Sequence, residues 1–377
     1  MWIYHNPVKI VFGAGCLAEL PRLLTGRRHA LVTYPDAPFA ALCDRLADLA
    51  GPPAMVVDDV SPNPDSAILA EQVERFAGAA APIDVIVALG GGSVIDSAKV
   101  LAAADGDFAT IARLLATRDC AAARRPIPII AIPTTAGTGS EVTSWSTVWD
   151  AAKGVKHSLA LPGLYPEVAL IDPELMLGQS RDLTIAPGLD ALSHALESLW
   201  NKNANPVSMT YAVSAARTSL DVLPALAADL ANLELRSRMA RASLFAGLAF
   251  SNTKTAIAHS ISYPLTLRHG VTHGIACSFS LPLVMRSVRD VDGICAEGLG
   301  QIFACPLDDA AGRLEGFLHR LGVATTPGAY GVEDTEWRAL LDDALDGERG
   351  RNFIGSRAAL TAGFDGSTVR GAGMPAS

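Results

Sequence analysis

Residues 84–104 read DVIVALGGGSVIDSAKVLAAA, so a short apolar run leads into three glycines and then into a helical pattern. The run over residues 84–89 predicts a buried strand, and the pattern over 93–104 predicts a helix. The same order of strand and helix recurs on both sides of this stretch, and it predicts a parallel sheet covered by helices on both faces. The other strands are predicted over residues 29–34, 54–57, 128–132 and 168–172, and the other helices over 38–50 and 65–80.

The second half of the chain has a different character. Strand patterns fade after about residue 180, and long helical patterns replace them. We therefore predict an α/β domain over residues 1–178, an all-α domain over 179–365 and a disordered tail over 366–377. The helices are predicted over residues 187–200, 207–231, 233–250, 254–266, 273–286 and 308–321.

The composition is that of a folded protein without a general affinity for polyanions. Of the 377 residues, 50% are hydrophobic and 18% are charged, which suffices to bury a large core. The 30 basic and 39 acidic side chains give a net charge of −9, which disfavours binding to nucleic acid or to an anionic membrane. Residues 1–10 lack a signal-peptide pattern, and the cysteines form no CxxC pair, so we expect a cytoplasmic protein with buried, reduced thiols. The cysteines are Cys16, Cys43, Cys120, Cys277, Cys295 and Cys305.

Two loops that follow predicted strands carry groups suited to binding phosphate. In the first, residues 90–93 (GGGS) lie between a strand and a helix, where free backbone N–H groups face a ligand, and we expect Ser93 to cap the helix. The second, residues 133–141 (PTTAGTGSE), follows the strand over 128–132. Since ligands bind at the carboxyl edge of an open parallel sheet, the two loops predict a pyrophosphate site, although the GxGxxG fingerprint is absent. Asp36 either binds an adenosine ribose, which would favour NAD over NADP, or is a capping or turn residue.

A carboxylate and several histidines predict a metal centre in the helical half. Asp190 and His194 are four residues apart in a helical pattern, so both side chains lie on one face about one turn apart. His259 and His273 follow in a largely apolar helical region. One carboxylate and three imidazoles suit Fe²⁺, Zn²⁺, Mn²⁺ or Co²⁺. His269 is a weaker candidate, since it would be either a neighbour of the ligands or a surface residue.

Several long motifs, in order over nearly the whole chain, resemble the iron-containing (group III) alcohol dehydrogenase family. The motifs are NPVKIVFGAG (6–15), GGGSVIDSAK (90–99), PTTAGTGSEVT (133–143), KHSLALPGLYPEVALIDPEL (156–175), PGLDALSHALES (187–198) and the pair His259 and His273. The resemblance implies an N-terminal dinucleotide-binding α/β domain and a C-terminal all-α domain, with the active site in the cleft between them. It implies a metal-dependent alcohol dehydrogenase or aldehyde reductase linked to NAD or NADP. Fe²⁺ is the expected ion, with Zn²⁺ or another divalent metal as the alternative, and a homodimer is the expected assembly.

The resemblance also implies roles for individual residues. Asp190, His194, His259 and His273 would be the catalytic metal ligands, and Phe250 matches an aromatic position beside the nicotinamide. The implied cofactor-binding residues are Gly91, Gly92, Ser93, Asp96, Thr134, Thr135, Thr138 and Lys156.

The chain departs from the family pattern in three places. Tyr263 stands where many members carry a second histidine, four residues after the third metal ligand. The ribose-binding aspartate of NAD-preferring members falls nearer to Tyr34 than to Asp36, so NAD and NADP both remain open. From about Val323 onward the chain matches the family poorly.

Two segments look like those of members described as phosphonoacetaldehyde reductases, namely residues 141–150 (EVTSWSTVWD) and 251–259 (SNTKTAIAH). In the second segment, Lys254 would hold a phosphonate or sulfonate together with Arg268 or Lys156. The alternative is a solvated lysine on an exposed helix face. The substrate candidates are therefore Phe250, Lys254 and Arg268.

The expected reaction is the reduction of a small aldehyde, with an anionic one such as phosphonoacetaldehyde as a candidate. The ion would polarise the carbonyl oxygen while the nicotinamide delivers hydride. One alternative is a lyase or cyclase like dehydroquinate synthase, which the Asp-His pair disfavours because that enzyme uses Glu-His-His. Others are another short-chain alcohol or aldehyde reductase, a maleylacetate-type reductase, and a non-catalytic metal- or nucleotide-binding regulator.

Overall fold

The computed structural model describes residues 1–117 and 125–362. The chain divides into two compact units, of which one runs from Asn6 to Gln179 and the other joins Met1–His5 to the chain from Ser180 onward. Cys120 and the tail predicted over 366–377 lie outside the described residues.

The Asn6–Gln179 unit is an α/β unit built on a six-stranded sheet. The sheet order is β1-β8-β5-β4-β2-β3, and every neighbouring pair is parallel. The central strands β4 and β5 are buried along their whole length, as expected when helices cover both faces. The elements are β1 (Lys9–Phe12), α1 (Leu20–Leu24), β2 (His29–Val32), α2 (Ala37–Ala50), β3 (Met55–Val57), α3 (Ser66–Ala77), β4 (Val85–Gly90), α4 (Gly92–Ala103), α5 (Phe108–Thr117), β5 (Ile129–Pro133), β6 (Trp145–Asp150), β7 (Val155–Ala160) and β8 (Val168–Ile171).

The predicted strands and helices of this unit are confirmed, with ends that differ by a few residues at most. The sequence analysis missed β1, α1, α5 and the antiparallel hairpin β6–β7. The strands that were missed lack a continuous apolar run. β1 is partly exposed, and β7 (VKHSLA) carries Lys156, His157 and Ser158 within one strand.

The second unit is helical, which confirms the predicted fold class. The first residues of the chain belong to it, since the Tyr4 hydroxyl donates a hydrogen bond to the Leu248 carbonyl (3.1 Å) and the His5 N–H donates to Asn252 Oδ1 (2.8 Å). The helices are α6 (Arg181–Leu199), α7 (Pro206–Ala228), α8 (Leu233–Thr253), α9 (Ile257–His269), α10 (His273–Ser278), α11 (Leu281–Ser287), α12 (Ile294–Phe303), α13 (Leu307–Arg320) and α14 (Asp334–Asp346).

Three predicted helix bounds are wrong for identifiable reasons. α6 begins at Arg181 because Ser180 caps it, and Pro187 lies inside the helix and not at its start. The helix predicted from residue 254 begins at Ile257 because Lys254 has a φ of 64°, outside the helical region. The helix predicted over 273–286 is two helices, since Pro282 has no N–H to continue the hydrogen-bond ladder.

Helix α6 lies at the centre of the helical unit and contacts α7, α8, α9 and α10. Nearly every residue from Thr184 to Leu199 is buried, including Asp190, His194 and Glu197. Burying ionisable groups is costly unless they are partnered. These side chains must therefore be satisfied by one another or by a ligand.

Within the described ranges, no helix is long and apolar enough to cross a membrane. Cys277 and Cys295 are buried thiols, as expected, whereas Cys16, Cys43 and Cys305 are only half-buried.

Candidate nucleotide and metal sites

The two loops rich in glycine and hydroxyl groups lie side by side. β4 and β5 are neighbours, Gly90 pairs with Pro133, and the Thr134 N–H donates a hydrogen bond to the Gly90 carbonyl (3.0 Å). Both loops therefore leave the sheet at its carboxyl edge, where open α/β sheets bind their ligands.

The glycines are required by the close approach of the two loops. A Cβ on Gly92 would lie 2.6 Å from Thr138 Cγ2, and one on Gly91 would lie 3.3 Å from Thr135 Oγ1. The first turn of α4 has no side-chain cap, so its N–H groups can serve an anion. The prediction that Ser93 caps α4 is wrong, because Gly91 is the N-cap of this helix. Ser93 Oγ accepts a hydrogen bond from the Asn63 N–H instead (3.2 Å).

Asp96 and Lys99 form a buried polar network beneath these loops. Asp96 Oδ1 accepts a hydrogen bond from Ser140 Oγ (2.6 Å), and Oδ2 accepts one from the Thr147 N–H (2.8 Å). Lys99 Nζ donates a hydrogen bond to the Ser140 carbonyl (2.7 Å). Burial lowers the pKa of Lys99 to about 8, although the carboxylates of Asp96 and Glu141 act to raise it. Both carboxylate oxygens of Asp96 therefore help to hold the second loop in place, and its contact with the cofactor stays a prediction.

The other candidates for binding the cofactor lie in different surroundings. The Tyr34 hydroxyl lies 3.3 Å from the position of a Cβ on Gly91, so this ring covers the glycine loop. Asp36 is exposed at the N-cap position of α2, as the capping alternative predicts, although its side chain makes no capping hydrogen bond there. Lys156 lies on the β6–β7 hairpin with Nζ 5.3 Å from the centre of the Trp149 ring.

In the helical unit, the side chains of Asp190, His194, His259 and His273 lie close together. α6 carries the first two residues, α9 carries His259, and His273 begins α10. The Nε2 atoms of His194, His259 and His273 lie 3.8, 3.3 and 3.9 Å from Asp190 Oδ1. Ligand atoms that share one ion at bond lengths of about 2.1 Å are about 3–4 Å apart. These distances to Asp190 Oδ1 are those that ligands of one ion would show. The group whose potential ligand atoms all lie within 4.8 Å of one another contains Asp190, His259 and His273 but not His194.

The environment of Asp190 supports this interpretation. Asp190 Oδ1 and His259 Nε2 are buried and 3.3 Å apart, yet neither has a hydrogen-bond partner among the described residues. Buried polar atoms are almost always hydrogen-bonded, so this pair points to a ligand that both atoms contact. Burial alone would raise the pKa of the Asp190 carboxyl, but the neighbouring histidines hold it below its ordinary value. A divalent cation with oxygen and nitrogen ligands fits this arrangement.

Glu197, which the sequence analysis missed, orients one of these histidines. Its Oε2 lies 2.6 Å from His259 Nδ1, and the carboxylate also accepts hydrogen bonds from the N–H groups of Ala256 (2.9 Å) and Ala258 (2.5 Å). The bond to the ring requires a proton on Nδ1 and leaves the Nε2 lone pair to face Asp190. A signal was present, since Glu197 lies seven residues after Asp190, on the same helix face.

Cys277 is a second residue that the sequence analysis missed. Its Sγ lies 3.6 Å from His273 Nε2, one helical turn further along α10. With Asp190, His259 and His273 it forms a group whose potential ligand atoms all lie within 4.8 Å of one another. The thiol therefore borders the centre.

The centre is open to solvent at one ligand. The side chains of Asp190 and His259 are 5% and 3% exposed, whereas that of His273 is 30% exposed. The side of this centre beside His273 is therefore the one that solvent reaches.

The predicted substrate residues differ in how close they lie to the centre. Phe250 stacks on His194, with ring centroids 3.9 Å apart. Lys254 is exposed, and it ends α8 instead of sharing a helix with His259. Arg268 is exposed and lies nine positions after His259, about two and a half turns along α9 and on the opposite face of the helix, and its substrate role stays a prediction. His269 also lies away from the ion and pairs with Glu336 (3.0 Å).

The geometry fits a nucleotide-binding α/β unit and a metal centre in the helical unit, and comparison with known proteins identifies the family and with it an oxidoreductase. The family described as iron-containing alcohol dehydrogenase matches residues 7–173, and the C-terminal part of the same family matches residues 184–355. The chain belongs to the iron-containing alcohol dehydrogenase family, whose members interconvert alcohols and aldehydes.

Individual relatives cover almost the whole chain. Phosphonoacetaldehyde reductase from Streptomyces viridochromogenes is 35% identical and aligns with 91% of each chain. NAD-dependent methanol dehydrogenase from Bacillus methanolicus is 32% identical over 91% of this chain and 93% of its own. The structure of sulfoacetaldehyde reductase from Bifidobacterium kashiwanohense in complex with NAD⁺ matches with a TM-score of 0.88 and 31% identity, covering 97% of this chain and 98% of its own.

Proposed function

We propose that this chain reduces a small aldehyde that carries an anionic group, using NADH or NADPH and a divalent metal ion, with Fe²⁺ as the expected ion. The observation that carries the proposal is the convergence of Asp190 Oδ1 with the Nε2 atoms of three histidines in a buried centre. In the α/β unit, the loops over residues 90–93 and 133–141 lie next to each other and supply the candidate site for the dinucleotide.

The proposed roles follow from the contacts of each group. Asp190 and the three histidines would hold the ion, and Glu197 keeps the His259 ring in the orientation that this requires. Phe250 fixes the His194 ring by stacking on it. The N–H groups at the start of α4 would bind the pyrophosphate. When bound, the ion would supply a Lewis acid for the carbonyl oxygen and the reduced nicotinamide would supply the hydride.

The substrate class rests on the relatives. The names of two of them, phosphonoacetaldehyde reductase and sulfoacetaldehyde reductase, describe aldehydes that bear a tetrahedral oxyanion. Since this chain has a net charge of −9, such a substrate must be captured by local cations and not by the overall field. The family resemblance extends the proposal to a homodimer in the cytoplasm, which light scattering and cell fractionation would test.

The deciding experiment is an aldehyde panel on Fe²⁺-loaded protein, followed at 340 nm with NADH and with NADPH. The panel contains phosphonoacetaldehyde, sulfoacetaldehyde, a carboxylate-bearing aldehyde and a neutral aldehyde of similar length. We expect net oxidation of the cofactor, fastest with a charged aldehyde. A lyase or cyclase would give no net change, and equal rates for all aldehydes would contradict the anionic substrate class.

Asp190→Asn tests the metal centre in the same assay, and Asp182→Asn is its matched control. Both changes remove one negative charge from α6, but Asp182 is exposed in the first turn of the helix. We expect the first variant to lose bound metal and turnover and the second to keep both. Full metal content and turnover in Asp190→Asn would contradict the proposed centre.

A further inference from the structure

Arg349 occupies a fixed position close to the proposed metal centre. It precedes the short 3-10 turn Gly350–Asn352, whose backbone is held tightly because a Cβ on Gly350 would lie 2.0 Å from the Ala344 carbonyl oxygen. The turn is also tied down by Asn352, whose Nδ2 donates to the Thr255 carbonyl (2.9 Å). The side chain of Arg349 therefore leaves a backbone that has little freedom.

Two contacts hold the guanidinium of Arg349. Its Nε donates a hydrogen bond to Thr255 Oγ1 (2.9 Å), and its Cζ lies 5.0 Å from the centre of the Tyr263 ring. A cation over an aromatic face is stabilised by the ring quadrupole, and Arg favours this arrangement. Neither contact uses the two terminal NH₂ groups of the guanidinium as hydrogen-bond donors.

Arg349 has no ion-pair partner among the described residues. By contrast, Arg75, Arg286 and Arg357 each pair with an acidic side chain. Arg349 is only half-buried, so an incoming anion can reach it. A held guanidinium with two free NH₂ groups is suited to binding two oxygens of a tetrahedral oxyanion.

The two anchors of Arg349 connect it to the proposed metal ligands. The Tyr263 ring lies almost parallel to that of His273, with an interplanar angle of 7° and centroids 6.2 Å apart. His273 is the ligand exposed to solvent. Thr255, the other anchor, lies four residues before His259. The guanidinium is thus placed by residues that border the open side of the centre.

We propose that Arg349 binds the anionic group of the substrate, a phosphonate or sulfonate on a small aldehyde. This inference rests on the proposed aldehyde reductase function. Tyr263, which stands where many family members carry a histidine, supports the guanidinium by contact with its face. Arg349 thus takes the anion-binding role that the sequence analysis gave to Lys254 and Arg268.

The test compares two substitutions at Arg349 with a matched control. Arg349→Met removes the charge and keeps the apolar stem, and Arg349→Lys keeps the charge but loses the forked geometry. The control is Arg351→Met, which makes the same charge change two residues along the chain, at an exposed position. Each full-length, Fe²⁺-loaded variant is assayed with phosphonoacetaldehyde and with a neutral aldehyde of similar length.

We expect Arg349→Met to lower kcat/KM for the charged aldehyde about 10- to 100-fold, mostly through KM, because a charge-assisted hydrogen bond is lost. The neutral aldehyde should be reduced as by the wild type, Arg349→Lys should fall in between, and Arg351→Met should match the wild type. Equal losses for the charged and the neutral aldehyde, or no loss for either, would overturn the assignment. Thermal unfolding of each variant shows whether a loss of activity comes from misfolding. If Arg349→Met is misfolded, the comparison of the two aldehydes is made with Arg349→Lys.

A binding measurement separates this inference from the proposed function. Calorimetric titration of the wild type and Arg349→Met with methylphosphonate requires no turnover. If the wild type reduces no aldehyde but binds methylphosphonate through Arg349, the proposed function is wrong and the anion site stands. If the wild type reduces aldehydes but binds methylphosphonate as weakly as Arg349→Met, the anion site is wrong and the reductase stands.

Discussion

Replacing Glu197 with Gln removes a buried negative charge at almost constant side-chain volume. The carboxylate now accepts hydrogen bonds from His259 Nδ1 and from the N–H groups of Ala256 and Ala258. An amide has one acceptor oxygen and an NH₂ group that only donates, so at least one of these donors loses its partner. Loss of the group that orients a metal-ligating histidine typically weakens metal binding about 10- to 100-fold, or about 1.4–2.7 kcal/mol. We expect Glu197→Gln to fall in that range.

The assay for Glu197→Gln is a competition titration of Zn²⁺ between the metal-free protein and a chromophoric chelator. Thermal unfolding of the metal-free proteins reports separately how much of the effect is loss of folding. Glu234→Gln is the matched control, since it makes the same substitution at an exposed position in the first turn of α8. A folded Glu197→Gln protein that binds Zn²⁺ as tightly as the wild type would refute the role of Glu197 in orienting His259.

Three further predictions concern the cofactor loops, the ion and the pH. Gly92→Ala puts a Cβ 2.6 Å from Thr138, so we expect the affinity for NADH, measured by fluorescence, to fall about 10-fold or more. Gly300→Ala is the control, because its Cβ would have nothing within 4 Å, and it should bind NADH as the wild type does. Equal NADH affinity in the two variants would count against the loop site. Chelation of the metal should lower the melting temperature, and excess Zn²⁺ should restore it. At a free Zn²⁺ concentration of 100 times Kd, binding adds about 2.7 kcal/mol to the free energy of unfolding. An unchanged melting temperature would contradict a metal centre. Burial raises the pKa of Glu141 to about 7, so between its ordinary value of 4.5 and 7 the folded state binds more protons than the unfolded state and stability falls as pH rises. Urea unfolding of Glu141→Gln should lose most of this decline, and an unchanged pH profile would refute the reasoning.

The fold could be predicted where the local sequence alone defines an element. β4 and β5 are continuous apolar runs that end in glycine or proline, and both were found. The β6–β7 hairpin was missed, because its half-buried residues form a strand only through pairing with one another. The break at Lys254 was also missed, since nothing in its residue type requires a φ of 64°.

The site could be predicted only where its residues share a helix or a family motif. Asp190 and the three histidines meet this condition, but the groups that support them act over long separations in the chain. Glu197 contacts His259 across 62 residues, and Arg349 contacts Thr255 across 94. Arg268 shows the converse, because closeness in sequence to His259 does not put its side chain on the same face of α9.

Charge balance connects the metal centre to the anion site. Asp190 and Glu197 are both buried, and burial by itself would raise the pKa of each carboxyl. The neighbouring histidines lower the pKa of Asp190 below its ordinary value, and His259 and the backbone N–H groups do the same for Glu197. A divalent cation among neutral histidines cancels these two charges, whereas without the ion the histidines must take up protons. The centre with its ion is therefore already neutral, and it has no spare positive charge for the tail of an anionic substrate. A separate cation would supply that charge, and Arg349 is a candidate because it packs on Tyr263, whose ring lies parallel to that of His273.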